Sequence, residues 1–136
     1  MRIGLDHVHL FASDLPATIA FFRGMLDARI VWDETAAGVR NVRLALGHAF
    51  VHLYDQPPQR ERGGAIHHVG IATDDLDALV ARLRAHGHAF RNAVRDDGKF
   101  RYVMVAGPDD LLIELFECRE PARWEVRLSP APDAGN

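Results

Sequence analysis

Apolar and polar positions recur in the same order in the two halves of this chain. Residues 5–12 and 66–73 alternate between apolar and polar side chains and contain residues typical of strands, so each segment predicts a β-strand. After each strand, apolar residues recur at the spacing of one helix face, which predicts an α-helix. These apolar stripes are Leu15, Ile19, Phe22 and Leu26 in the first half and Leu76, Leu79, Val80 and Leu83 in the second.

The boundaries of both predicted helices carry residues that cap helices. Ser13 or Asp14 is a suitable N-cap for the first helix. Asp74 or Asp75 is suitable for the second, and Gly87 suits the position just after its end. These signals place one helix directly after each strand.

Three short runs of β-compatible residues follow each predicted helix. Glycines and the turn sequence Gly107-Pro108-Asp109-Asp110 separate these runs. The runs are 28–33, 39–46 and 49–55 in the first half and 88–94, 100–106 and 111–117 in the second. Each half therefore has the predicted order β-α-β-β-β.

The two halves also share sequence. The segment LDHVHLFASDL aligns with IHHVGIATDDL at a constant offset of 61 residues, which places His7 over His68. The segment FVHLYD aligns with LIELFE at an offset of 62 residues, which places His52 over Glu114. Self-similarity of this kind indicates a duplicated structural unit.

The repeat sets the predicted domain boundaries. Residues 1–56 form the first βαβββ module and residues 65–119 form the second. The polar segment 57–64, rich in Pro and Gly, predicts the linker between them. Residues 120–136 form a C-terminal tail whose end we expect to be disordered, and Trp124 is the candidate for attaching its first part to the body.

Composition narrows the functional classes. The formal net charge is -3, and no basic cluster indicates a nucleic-acid or membrane-surface partner. No apolar run approaches the roughly 20 residues of a membrane span, and the first residues lack the apolar core of a signal peptide. Cys118 is the single cysteine, which excludes an intrachain disulfide. We therefore expect a cytoplasmic protein that binds neither nucleic acid nor a membrane.

Four metal-capable residues occupy matching places in the two halves. His7 and His68 lie on the first strands, whereas His52 and Glu114 lie on the last strands. A single histidine on a strand is usually an ordinary surface or core residue, but two matched pairs rarely arise by chance. Glu114 also lies within an apolar run, where a carboxylate is costly unless it is paired or metal-bound. The sequence predicts one divalent ion held by these four residues, and Zn, Ni, Co, Mn and Fe(II) all accept such ligands.

The sequence does not assign a single role to several other side chains near the predicted site. His9 shares a strand face with His7, and its repeat counterpart is Gly70, so His9 is a candidate acid–base group or an ordinary neighbour of the ligands. Glu114 could leave the metal and act as a base. Strand alternation places His67 off the metal face, without a role. Three arginines could hold an anionic substrate, although a solvated outer face is the simpler interpretation: Arg40, Arg43 and Arg101.

Three segments together resemble the vicinal oxygen chelate superfamily: LDHVHLFASDLPATIAFFRGML, HHVGIATDDL and GPDDLLIEL. This family includes glyoxalase I, methylmalonyl-CoA epimerase, extradiol dioxygenases, fosfomycin-resistance thiol transferases and bleomycin-resistance proteins. The resemblance implies an α+β fold in which two tandem βαβββ modules form an open, cup-shaped mixed sheet around a metal site. It also implies a homodimer, with the modules paired within one chain or swapped between chains, and the ligands His7, His52, His68 and Glu114.

The resemblance leaves the reaction class open. The first hypothesis is a metal-dependent lyase, isomerase or epimerase that polarises a vicinal-oxygen substrate. The second is an Fe(II) extradiol-type dioxygenase that uses only His7, His68 and Glu114. The third is a resistance protein, either a thiol transferase or a drug-sequestering protein with an aromatic pocket. His52 departs from the family pattern, because glyoxalase I and the epimerase usually carry Glu or Gln at that position.

Overall fold

The computed structural model describes residues 1–58, 64–107 and 111–128. Within these ranges the chain divides into two compact units. We call His7–His68 the N-terminal unit, and Met1–Asp6 together with Val69–Asn136 the C-terminal unit.

The predicted order of elements occurs twice. The first βαβββ module consists of β1 (Ile3–Phe11), α1 (Leu15–Leu26), β2 (Arg29–Ala36), β3 (Val39–Leu46) and β4 (Ala49–Tyr54). The second consists of β5 (Ile66–Thr73), α2 (Leu76–Ala85), β6 (Arg95–Asp96), β7 (Phe100–Ala106) and β8 (Leu112–Cys118). The predicted α+β class with two βαβββ modules is confirmed. Neither described helix combines the length and apolarity that crossing a membrane requires.

The N-terminal unit contains a mixed sheet with the strand order β2-β3-β4-β1. Strands β1 and β4 pair in parallel, whereas β3 pairs antiparallel with both β2 and β4. Asp14 is the N-cap of α1, since its carboxylate accepts a hydrogen bond from the Ala17 amide at 2.9 Å. The helix ends at Asp27, whose left-handed backbone (φ 54°) stops further helical hydrogen bonding.

Helix α1 covers one face of this sheet. Leu15 of α1 packs with Val42 and Leu44 of β3 and with Leu53 of β4, and all four are fully buried. Because side chains alternate along a strand, the neighbours Arg43 and His52 point to the opposite face. The apolar face thus fixes which residues line the other face.

The C-terminal unit repeats this plan, with the strand order β5-β8-β7-β6 and a parallel pair of β5 and β8. Asp75 caps α2 by accepting from the Ala78 amide at 2.9 Å, and Gly87 follows the helix with φ 85° as predicted. Trp124 packs its ring 5.5 Å from Phe100 and is buried, which attaches the start of the tail to this unit. The core consists of Leu76, Leu79, Val80, Val103, Val105 and Leu115.

One predicted strand is wrong. Residues 88–94 form no strand, and only the two-residue β6, Arg95–Asp96, pairs with β7. Phe90 and Val94 instead pack against the core of the C-terminal unit from an irregular segment. The spacing of these apolar residues resembles that of a strand, which explains the wrong prediction. Residues 59–63 of the predicted linker, 108–110 of the predicted turn and 129–136 of the tail lie outside the described residues.

Candidate metal centre

Four side chains stand opposite one another across the sheet of the N-terminal unit. Trp32 on β2 is opposite Arg43 on β3, Arg43 is opposite His52 on β4, and His52 is opposite His9 on β1. We call these four residues the cross-strand row. The row lies on the face that α1 does not cover, so the fold gathers polar groups there through strand pairing.

Histidine rings accumulate beside this row. The rings of His7 and His52 are stacked, with centroids 3.6 Å apart and planes 6° from parallel. His68 Nε2 lies 3.3 Å from His7 Nε2 and 3.3 Å from His9 Nδ1. We call His7, His9, His52 and His68 the histidine cluster. The structure therefore brings together the three predicted histidine ligands, and His9 joins them.

The donors of this cluster fit a divalent ion. One ring nitrogen from each of His7, His9 and His68 lies within 4.8 Å of the others, and all three residues are buried. Nitrogens bound tetrahedrally at about 2.1 Å from a zinc ion lie about 3.4 Å apart, close to the two 3.3 Å separations of the cluster. Imidazole nitrogens suit Zn, Ni, Co and Fe alike, so this match concerns the site and not the identity of the metal.

Burial shifts the pKa of three of the four rings in this cluster. Burial, followed by the neighbouring His7 and His67, lowers the pKa of His68 to about 3. Burial also lowers the pKa of His9 and of His52, and the surrounding histidines add to both effects. These three rings are therefore neutral at pH 7, and each keeps a lone pair available for a metal or for a proton donor.

Arg43 lies inside the structure, so the expectation of a solvated position is wrong for it. It is 2% exposed, its guanidinium stands 3.7 Å from the centroid of the Phe50 ring, and its NH1 group donates to His52 Nε2 at 2.6 Å. Arg40 and Arg101 match the expectation better, because they pair with carboxylates such as Asp33 and Asp77 near the surface.

His67 is the residue that the sequence interpretation missed. Its Nδ1 lies 2.6 Å from Nδ1 of His68, and its ring contacts Phe11 and Tyr54 at centroid distances of 5.1 and 5.4 Å. His67 is the second residue of β5, where its imidazole turns toward its neighbour, so strict alternation misplaced it. The doublet of histidines at 67 and 68 was the available signal.

Glu114 belongs to the C-terminal unit. It is half-buried on β8, where it stands opposite Gly70 on β5 and Met104 on β7. The pairing of Gly70 with Glu114 repeats the pairing of His9 with His52. The register therefore reproduces the predicted equivalence of His52 and Glu114, while the role of Glu114 as a ligand stays a prediction.

Comparison with known proteins agrees with this fold. Residues 4–115 match the Glyoxalase/Bleomycin resistance protein/Dioxygenase superfamily. The chain belongs to this superfamily.

Several relatives are similar over most of the chain. The uncharacterized protein YaeR of Escherichia coli (strain K12) is 27% identical over 128 residues, which cover 85% of this chain and 98% of YaeR. The structure of methylmalonyl-CoA epimerase from Mycobacterium tuberculosis is 29% identical, with a TM-score of 0.68 and coverage of 85% of this chain and 87% of the epimerase. A hypothetical protein from Bacillus halodurans C-125, BH1468, is 20% identical with a TM-score of 0.73, covering 87% of this chain and 96% of its own, and shares the fold.

Proposed function

We propose that this protein is a metal-dependent isomerase, lyase or epimerase that acts on a small molecule with vicinal oxygens. One divalent ion is held by His7, His68 and Glu114, with His52 as the predicted fourth ligand. The observation that carries this proposal is the buried histidine cluster, in which ring nitrogens approach one another at 3.3 Å. Membership in the superfamily supports the same chemistry.

The residues of the site have distinct tasks in such a reaction. A bound divalent ion supplies Lewis acidity toward a carbonyl oxygen. His7 and His68 present ring nitrogens as ligands, and their burial keeps water from competing for the same positions. Glu114 would leave the ion, take up the proton from the carbon next to the carbonyl and return a proton to the substrate as the product forms. His9 is either a second acid–base group or a further ligand, and the two roles exclude each other while one ion is bound.

A 2-methylacyl-CoA is the first substrate class to test, since the Mycobacterium tuberculosis neighbour is a methylmalonyl-CoA epimerase. Metal-loaded protein is incubated in deuterated water with methylmalonyl-CoA and, separately, with a hemithioacetal. We expect deuterium incorporation at the α carbon or isomerisation of one of the two, and loss of this activity in Glu114→Gln. Protein with one bound ion that turns over neither compound contradicts the proposal.

A specific contact favours a second candidate, an Fe(II) extradiol-type dioxygenase. The hydrogen bond from Arg43 occupies Nε2 of His52, the predicted fourth ligand. The other predicted ligands, His7, His68 and Glu114, would then form a two-histidine, one-carboxylate triad. Anaerobically iron-loaded protein that consumes oxygen with catechols supports this alternative, and a lack of uptake removes it. The homodimer, the cytoplasmic location and the identity of the metal stay predictions.

A further inference from the structure

The lone pair through which His52 would bind a metal already accepts a hydrogen bond. A neutral imidazole has one N–H and one lone pair, and His52 Nε2 accepts a hydrogen bond from Arg43 NH1 at 2.6 Å. The proton of this tautomer then sits on Nδ1, so neither nitrogen of His52 offers a free lone pair. The same lone pair cannot bind an ion and accept this hydrogen bond.

The structure holds Arg43 firmly in this position. Arg43 stands directly opposite His52 in the pairing of β3 and β4, so the contact follows from strand register. The guanidinium also stands 3.7 Å over the Phe50 ring, and the residue is 2% exposed. Stacking against His7 fixes the plane of the His52 ring from the other side. For His52 to bind an ion, a buried cation would have to give up a short hydrogen bond.

His9 offers its nitrogen where a ligand is needed. Its Nδ1 and Nε2 of His7 both lie 3.3 Å from Nε2 of His68. These separations match the edge of a tetrahedron around a metal ion, which is about 3.4 Å for bonds of about 2.1 Å. The ring of Tyr54 stacks on His9 at a centroid distance of 3.7 Å and orients it.

We propose that the nitrogen ligands of the metal are His7, His9 and His68, and that Arg43 holds His52 off the ion. This inference rests on the proposed function only for the presence of a divalent ion. It makes His9 a ligand instead of an acid–base group. It also makes Arg43 a positioning residue, because it acts on the metal only through His52.

Metal affinity of single variants tests this assignment. The probe is Co(II), measured by competition with a chromophoric chelator. We expect His9→Ala to weaken binding by at least roughly tenfold, since even residues that only support ligands contribute that much. The contrasting variant is His52→Leu, which removes both ring nitrogens and adds no atom that can bind a metal. We expect its Co(II) affinity to stay within about threefold of the wild type, well below the roughly tenfold loss expected for a residue that holds or orients a ligand. If His52→Leu weakens Co(II) binding at least roughly tenfold while His9→Ala does not, the proposal is wrong.

Arg43→Met provides the second measurement, with Arg40→Met on the same strand as the matched control. Freed from its donor, His52 should join the ion, so nitrogen hyperfine couplings of bound Cu(II) should show one more imidazole in Arg43→Met. They should show the wild-type number in Arg40→Met and in His52→Gln. If His52→Gln removes a nitrogen from the wild-type pattern, His52 is a ligand and the proposal is wrong. This readout does not need His9→Ala to fold.

The two proposals fail in different ways. His7→Ala and His68→Ala remove ligands in either assignment. If both bind Co(II) as tightly as the wild type, no ion is held by the cluster, and the proposed function fails as well. If both lose binding while His9→Ala does not, only the assignment of His9 fails.

Discussion

The two units share one plan but differ in what their equivalent positions carry. Across β3, β4 and β1 the N-terminal unit places Arg43, His52 and His9 opposite one another. Across β7, β8 and β5 the C-terminal unit places Met104, Glu114 and Gly70 at the matching positions. The first set consists of nitrogen groups that contact one another, whereas the second offers one carboxylate beside a residue without a side chain. Duplication thus preserved the strand pairing and the apolar core, while the chemistry diverged.

The largest predicted effect concerns the apolar core, which each unit contains in a similar form. Leu15 and Leu76 are the first residues of their helices, and both are completely buried. Leu15→Ala and Leu76→Ala should each lower the free energy of unfolding by about 2–5 kcal/mol, because each opens a cavity in a core. Chemical denaturation measures both, with Met25→Ala on the exposed face of α1 as the control. A cost below about 1 kcal/mol for one of them would show that the two cores are not equivalent.

A smaller effect is expected from His67, which the repeat aligns with Asp6 in the first half of the chain. The hydrogen bond between the two Nδ1 atoms of His67 and His68 leaves His68 Nε2 facing the cluster. His67→Ala should therefore weaken Co(II) binding about 10–100-fold, as expected for a residue that orients a ligand. His88→Ala, at an exposed position, is the matched control. Equal affinity of the two variants would remove His67 from the site.

Acid should lower the stability of the two units of the metal-free protein to different extents. Burial lowers the pKa of His68 to about 3, whereas an unfolded histidine titrates near 6.5. Below pH 6.5 the unfolded chain binds more protons, so stability is present above this pH and decreases as the pH falls toward 3. The decrease is up to about 1.4 kcal/mol per pH unit for each such histidine.

The described histidines of the C-terminal unit, His86 and His88, are exposed, so this decrease belongs to the N-terminal unit. Amide hydrogen exchange of chelator-treated protein at pH 7 and pH 5 measures the acid sensitivity of each unit separately. The amides of β4 should lose protection before those of β8. Equal loss in both strands would contradict this assignment of the acid sensitivity.

The repeat explains why so much of the fold could be predicted. Alternation predicted the first strand of each half, and the apolar stripe after it predicted the helix. Asp14 and Asp75, which cap these helices, are among the N-cap candidates that the sequence contains. Alternation also placed His7, His9 and His52 on the face away from α1. The prediction of a strand at 88–94 was wrong because apolar residues can fill a core from an irregular segment as well as from a strand.

The site was harder to predict than the fold because its contacts depend on strand register. Nothing in the sequence shows that Arg43 stands opposite His52, since this depends on how the turn between β3 and β4 aligns the two strands. The burial of Arg43 and the inward turn of His67 are consequences of such neighbours. Matched positions in the two halves predicted four candidate ligands, which stay predictions, but the hydrogen bond from Arg43 to His52 could not be predicted.

The central claim is that the histidine cluster binds one divalent ion. Chelator-treated protein is dialysed to equilibrium against Co(II), and the bound metal is measured by elemental analysis. The account predicts one ion per chain for the wild type and a large loss in the double variant His7→Ala, His68→Ala. Wild-type protein that binds no ion, or a folded double variant that still binds one, would contradict it.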